Sequence, residues 1–141
     1  MSINNIYGIA GSAMNAQLVR MNSSASNMAN SGTVAGSAEQ AYKAKRPVFE
    51  ALLAAQQTDS RTPTVGGVKI SEMAVDKTPN QTMFDPGNPN ADEDGMVYLS
   101  NVNEVTEMID MLAAARSYQN NVEVINTARQ LMMKTLDITK A

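Results

Sequence analysis

The sequence predicts a mainly α-helical protein with a small β-rich middle region. Three observations carry this. Apolar residues recur at steps of three and four over the first 30 residues and again over residues 101–138. All five prolines (Pro47, Pro63, Pro79, Pro86 and Pro89) fall between those segments. Short β-branched and aromatic runs fall there too. The two terminal stripes match in period, so the helices are expected to pair as an antiparallel coiled coil. Residues 1–32 and 101–141 then form a terminal helical (axial) domain, and 33–100 a β-rich and loop middle.

The first helix is placed over residues 3–30. Ile3, Tyr7, Ala10, Met14, Leu18, Met21, Ala25 and Met28 form its stripe. Tyr7, Met14, Met21 and Met28 stand seven apart, which is heptad spacing. Ser2 is the candidate N-cap. Asn30-Ser31-Gly32 is the candidate stop, with Gly32 free to take a left-handed conformation. Gly8 and Gly11 weaken the early turns by up to about 1 kcal/mol each.

In the middle, AYKAKRPVFE (41–50), GVKISEMAV (67–75) and MVYL (96–99) read as strands. ALLAAQQ (51–57) fits strand or helix equally. TDSRTPTVGG reads as a loop and FDPGNPNADEDG as a turn-rich connection.

The second helix is placed over residues 101–138. Asn101 followed by Glu104 resembles a capping box. Its stripe runs Val105, Ile109, Leu112, Ala115, Tyr118, Val122, Ile125, Ala128, Met132 and Leu136. The mean step is about 3.4, close to a coiled-coil repeat.

Composition excludes much chemistry. The chain has no His and no Cys, which removes zinc fingers, thiol chemistry and imidazole bases. Net charge is -3, so nothing basic argues for nucleic acid. No run of 18 apolar residues exists, so direct membrane insertion is not expected. The first 19 residues carry no Lys or Arg, so a Sec-type signal peptide is not expected. Asn90, Asp92, Asp94 and Gly95 resemble the opening of a calcium loop. The first and twelfth positions are Asn90 and Asn101, where such a loop needs Asp and Glu, so an acidic turn is expected instead. Asp92, Glu93 and Asp94 lie in a solvated turn, where paired acid–base carboxyls would need desolvation. No catalytic residue, cofactor or metal is expected.

The helix surfaces are unusual. Arg20 is the only charged residue among the first 38, and the chain holds 14 Asn and 7 Gln. Solvated helices carry a strongly charged outer face, whereas interface cores are poor in Lys, Glu and Asp and rich in Met. The first helix has only nine large apolar side chains with which to offset the ordering of 28 residues. Two readings fit: a self-contained hairpin with a weakly polar surface, or helices completed by neighbouring subunits. The charge depletion and the marginal helix pair favour assembly. The candidate interface residues are Tyr7, Met14, Leu18, Met21, Ala25, Met28, Leu112, Tyr118, Val122, Ile125, Met132 and Leu136.

Three stretches resemble a known family. NIYGIAGSAMNAQ with RMNSSASNMAN is similar to the N-terminus of flagellar basal-body rod proteins. Within it, ASNMAN (25–30) fits the Ala-Ser-Asn-x-Ala-Asn signature of rod and hook proteins. YKAKRPVFE (42–50) resembles the segment that follows it in the family. NVNEVTEMIDMLAAARSYQNNVEVINTARQLMMKTL (101–136) resembles the family's C-terminal helix nearly throughout. That stretch, GNPNADEDG (87–95) and the short middle are most similar to the C-type subunit of the proximal rod. The likeness spans nearly the whole chain and is weakest over 51–66. Tyr7 stands where Phe is expected; Met96 and Ser100 stand where Tyr and Pro are common. Ser100 is expected to loosen the start of the second helix.

The resemblance implies a structural, non-enzymatic subunit of the bacterial flagellum, in the basal-body rod that crosses the periplasm and serves motility. It would transmit torque from motor to hook. Implied partners are copies of itself, other flagellar rod proteins and the flagellar type III export apparatus, with export from the cytoplasm without cleavage. Terminal segments of such proteins are poorly ordered before assembly. The alternatives are another axial protein (B-type or distal rod) and a secreted coiled-coil adaptor.

Overall fold

The computed structural model describes residues 3–52 and 66–140. The elements in order are α1 (Ile3–Ala29), β1 (Val34–Ala35), β2 (Lys45–Ala51), β3 (Val68–Val75), β4 (Thr82–Phe84), β5 (Met96–Leu99) and α2 (Glu104–Lys140). At 1.5 Å per residue, the helices are about 40 and 55 Å long.

The helices lie side by side and antiparallel. Arg20 of α1 bonds Asp110 near the start of α2, while Ile6 shares a groove with Ala128 and Leu131 far along it. Projecting both helices from these pairings, α2 outruns the first residue of α1 by roughly 15 to 20 Å.

The seam between them is built mainly from small and polar residues rather than from the predicted large apolar stripe. The buried residues are Ala10, Ala16, Ser23, Ser24 and Asn27 on α1, and Glu107, Ala114 and Ala128 on α2. Glu107, Ala114 and Ala128 fall in one register seven or fourteen apart, with Tyr118 and Ile125 half-buried on the same side. Val105, Ile109, Leu112 and Val122 from the predicted stripe are exposed instead. The physical reason is size. Small side chains let the helix backbones approach closely, so large ones are left for the opposite face.

The middle holds two antiparallel sheets. One has the order β1-β5-β4; the other pairs β2 with β3. Lys45 opposes Val75 and Ala51 opposes Val68, with an irregularity at Val48/Phe49. Val97, in the central strand β5, is fully buried. Three predicted strands are present, and β1 and β4 are additions. They are two and three residues long, too short for a period-two pattern to register. Of ALLAAQQ, Ala51 closes β2 and the Leu52 N–H continues the pairing to the Gly67 carbonyl at 2.8 Å; positions 53–57, and most of the predicted loop after them, lie outside the described residues. Gly67 has φ +137°, and a Cβ there would meet the Ser12 hydroxyl at 3.0 Å. A glycine is therefore required where β3 begins against α1.

The helix ends differ from expectation. Ser2 lies outside the described residues. Gly32 does not adopt positive φ. The last turn of α1 is closed by side chains: Asn30 Nδ2 donates to the Ser26 carbonyl (2.8 Å), Ser31 Oγ to Met28 (2.9 Å) and Thr33 Oγ1 to Asn30 (2.8 Å). These take up carbonyls that a left-handed glycine would otherwise help satisfy. At α2 the cap is Asn103, not Asn101. Asn103 Oδ1 accepts from the Thr106 N–H at 3.0 Å, the N-cap to N3 bond.

Candidate assembly surface

The outward surfaces of the helices are held in place from the inside, and the charged residues show how. Arg20, the lone charge of the N-terminal segment, donates to Asp110 at 2.6 Å. Arg46 of β2 reaches the other Asp110 oxygen and the Glu107 carboxylate, each at 3.1 Å. Glu107 is only 2% exposed, so its counter-ion matters. Two cations and two anions therefore tie α1, β2 and α2 at one level. They border a cavity of about 300 Å³ with Ser23, Ser24, Pro47 and Phe49 in its lining.

One turn further, Asn27 of the ASNMAN stretch is 1% exposed. Its Oδ1 accepts from the Lys45 N–H (2.9 Å) and the Tyr42 hydroxyl (3.0 Å). Its Nδ2 donates to the Lys45 carbonyl at 2.9 Å. The amide thus pairs with the backbone at Lys45 on both its polar groups. Ser23 Oγ donates to the same carbonyl at 2.5 Å.

Two more amides finish the junction. Asn101 Oδ1 accepts from the Ala44 N–H at 2.7 Å, and its Nδ2 donates to the Thr78 carbonyl at 3.0 Å. Asn80 Nδ2 donates to Leu99 (2.7 Å) and Tyr42 (3.0 Å). Ser100 is buried, and its hydroxyl donates to the Ser31 carbonyl at 2.6 Å. The expectation that Ser100 loosens this region is corrected: a proline there would lack the donor.

The acidic turn is spoken for locally. Asp92 Oδ1 accepts from the N–H groups of Asp94 (3.0 Å) and Met96 (2.8 Å). These bonds fold the turn, as an Asx side chain does. Among the described residues no group of three acidic side chains is placed to hold a metal. No helix among them is long and apolar enough to cross a membrane.

Large apolar side chains stand exposed on the outer face of α2. On α2, Val105 is 66% exposed, Ile109 60% and Leu112 55%; Leu131 and Ile138 are more than half exposed as well. Of the predicted interface residues, Leu18, Ala25, Leu112, Val122, Met132 and Leu136 are exposed. Tyr7, Met14, Met21, Met28, Tyr118 and Ile125 are half-buried. Half of the set is therefore exposed and half partly covered. Met108, Ile109, Leu131, Met133 and Ile138 are also exposed and were not in the set. A count of all large side chains outside the alanine register would have found them.

Comparison with known proteins bears on this surface. Residues 93–138 match the family model described as "Flagellar basal body rod FlgEFG protein C-terminal". A flagellar basal-body rod protein FlgC of Yersinia enterocolitica is 47% identical over 138 residues, covering 98% of each chain. The protein of the same description in Salmonella typhimurium is 43% identical, again covering 98% of each. That of Buchnera aphidicola from Acyrthosiphon pisum is 44% identical over 142 residues, covering 99% of this chain and all of the relative.

Proposed function

The chain belongs to the FlgC family of flagellar basal-body rod proteins, and from that premise we propose that it self-assembles in the proximal rod through its terminal helices. The observation that carries this is the inverted packing of the hairpin. Small and polar residues fill the seam, while the large apolar residues of α2 face out. An isolated protein gains nothing from that distribution, because exposed Leu, Ile and Val return no burial energy. Neighbouring subunits would recover it, and the poverty of charge on α1 suits a surface that loses its water.

In this reading the terminal helices (residues 1–32 and 101–141) form the axial domain, packed in a coiled-coil-like bundle only when several subunits contribute. The middle (33–100) is the β-rich and loop region, joined to both helices through Lys45, Arg46 and Asn101. Tyr7, Met14, Leu18, Met21, Ala25, Met28, Leu112, Tyr118, Val122, Ile125, Met132 and Leu136 contact other rod subunits. The partners are further copies and other flagellar rod proteins, and the chain reaches the rod through the flagellar type III export apparatus. Torque passes from motor to hook because long helices change length little under load and many side contacts share it.

The test is incorporation. Leu18→Asp or Val122→Asp places a charge on an exposed position, so the monomer is as folded as wild type while rod assembly and swimming are lost. Normal swimming by either variant contradicts the proposal.

A further inference from the structure

The cavity of about 300 Å³ at the junction carries an unbalanced charge. Its lining has three cations, Arg20, Lys45 and Arg46, and two anions, Glu107 and Asp110. Four of these five are matched. Arg20 and Arg46 each hold one oxygen of Asp110, and Arg46 also holds Glu107. Lys45 is the remainder. Its ammonium stands 6.0 Å from the centre of the Tyr42 ring, and among the described residues it pairs with no carboxylate. The set is one negative charge short of neutrality.

The lining also has donors to spare. Arg20 spends one of its five N–H donors on Asp110. Ser24 is 5% exposed, and none of the described residues bonds its hydroxyl; its neighbour Ser23 is committed to the Lys45 carbonyl. Pro47 and Phe49 add an apolar wall, and Phe49 keeps 38% of its surface open. Glu107 and Asp110 oppose an incoming anion, but the two guanidinium groups already span both of them.

Charge and shape select the ligand. A single negative charge completes the set, whereas a doubly charged phosphate would invert it. A planar guanidinium beside an ammonium and a hydroxyl suits a carboxylate. A bare halide would leave the apolar wall uncovered. We propose that this cavity binds one carboxylate on an apolar stem, held by Arg20, Lys45 and the Ser24 hydroxyl, with the stem against Pro47 and Phe49. The carboxylate belongs either to a free acid or to an acidic side chain beside an apolar one in a partner peptide. Occupancy links α1 to β2 and stabilises that level, because the ligand binds only where the two are together. None of this depends on which surfaces of the helices meet other subunits.

The test is a nuclear magnetic resonance titration of the labelled full-length chain with phenylacetate at constant ionic strength. Saturable shifts are expected at Arg20, Ser24, Lys45 and Phe49. Ser24→Ala should weaken binding about tenfold, the share of a hydrogen bond to a charged group. Lys45→Met, at an exposed site, should weaken it by about threefold or more. Neither change removes a hydrogen bond or ion pair of the folded chain, so circular dichroism and the unfolding midpoint should stay those of wild type. Neutral phenylacetamide should not saturate, and inorganic phosphate should bind more weakly than phenylacetate. N-acetyl-Glu-Phe-amide identifies the source: tighter binding than phenylacetate assigns the site to a side chain, and binding no tighter assigns it to a free acid. Saturation by neither carboxylate, phenylacetamide or phosphate binding as tightly as phenylacetate, or affinity unchanged in either variant would overturn the proposal.

Discussion

Replacing Asn27 by alanine removes the amide that joins α1 to the chain entering β2. Three bonds go: from the Lys45 N–H, to the Lys45 carbonyl and from the Tyr42 hydroxyl. The carbonyl keeps Ser23 Oγ as a donor, so it is not orphaned. The Lys45 N–H is left without its acceptor, which costs about 1 to 3 kcal/mol for a buried donor. Tyr42 is half-buried and its hydroxyl can turn to water, so its bond is worth about 0.5 to 1.5 kcal/mol. The sum is about 1.5 to 4.5 kcal/mol, a large share of the stability of a domain this size. Urea unfolding followed by far-ultraviolet circular dichroism measures it. A loss below about 0.5 kcal/mol would refute the reasoning, since an exposed polar position costs that little. Asn27→Asp separates shape from hydrogen bonding. The carboxylate keeps both accepted bonds, but it is a buried charge set against the Lys45 carbonyl oxygen, so the variant should still be weaker than wild type at neutral pH. Protonation returns a donor, so its deficit relative to wild type should narrow as the pH falls. An Asp variant as stable as wild type at pH 7 would show that the donor contributes nothing.

Other outcomes follow from the junction. Arg46→Met removes the counter-ion of buried Glu107. Because Arg46 is itself half exposed, a loss of about 1 to 3 kcal/mol is expected rather than the full cost of a buried charge; Glu107→Gln in the same chain should recover part of it, measured by the same unfolding curves. The Thr78 hydroxyl and N–H donate to the Asp76 carboxylate and hold its pKa below the ordinary value of 3.8. A carboxyl lowered in the folded state lends stability above its unfolded pKa and loses it as the pH falls through the folded one. Thr78→Val should therefore raise the Asp76 titration toward 3.8, as followed by carboxyl NMR, and an unchanged titration would contradict the assignment of its cause.

Much of this fold is legible in the sequence because its long elements are periodic. Both helices and the three longer strands follow from spacing alone, and prolines mark off the middle. The direction in which each helix faces is not legible by the same means. The eye follows Val105, Ile109 and Leu112, yet the inner register is Glu107, Ala114 and Ala128. Hydrophobic periodicity assumes that large residues point inward, and that assumption fails where the inside of the monomer is not the inside of the assembly. The junction was missed for a different reason. Asn27, Asn80 and Asn101 are separated by 53 and 21 positions, and only the fold brings their amides to the segment 42–45 and its neighbours. The ASNMAN signature marks Asn27 as distinctive without saying that it grips Lys45. Asn101, three before Glu104, fits the capping-box pattern, whereas Asn103, three before Thr106, does not. Asn101 is occupied with Ala44 and Thr78 instead.

The junction also divides each helix into two. Residues 20–29 of α1 and 104–114 of α2 are tied by Arg20, Asn27, Arg46, Glu107 and Asp110. Beyond them α1 rests on alanine contacts and on the start of β3 at Ser12, and α2 on Ala128, with Leu131, Met133 and Ile138 turned to solvent. Their order in an isolated chain depends on little burial, and local opening is expected where buried contacts are few.

Amide hydrogen exchange on the purified monomer and on assembled rods tests the central claim most directly. The account predicts fast exchange in the monomer over residues 5–19 and 115–138, protection over 20–52 and 66–114, and slow exchange over both helices once assembled. Slow exchange along the full length of both helices in the isolated monomer would contradict it, because the helices would then be complete without neighbours.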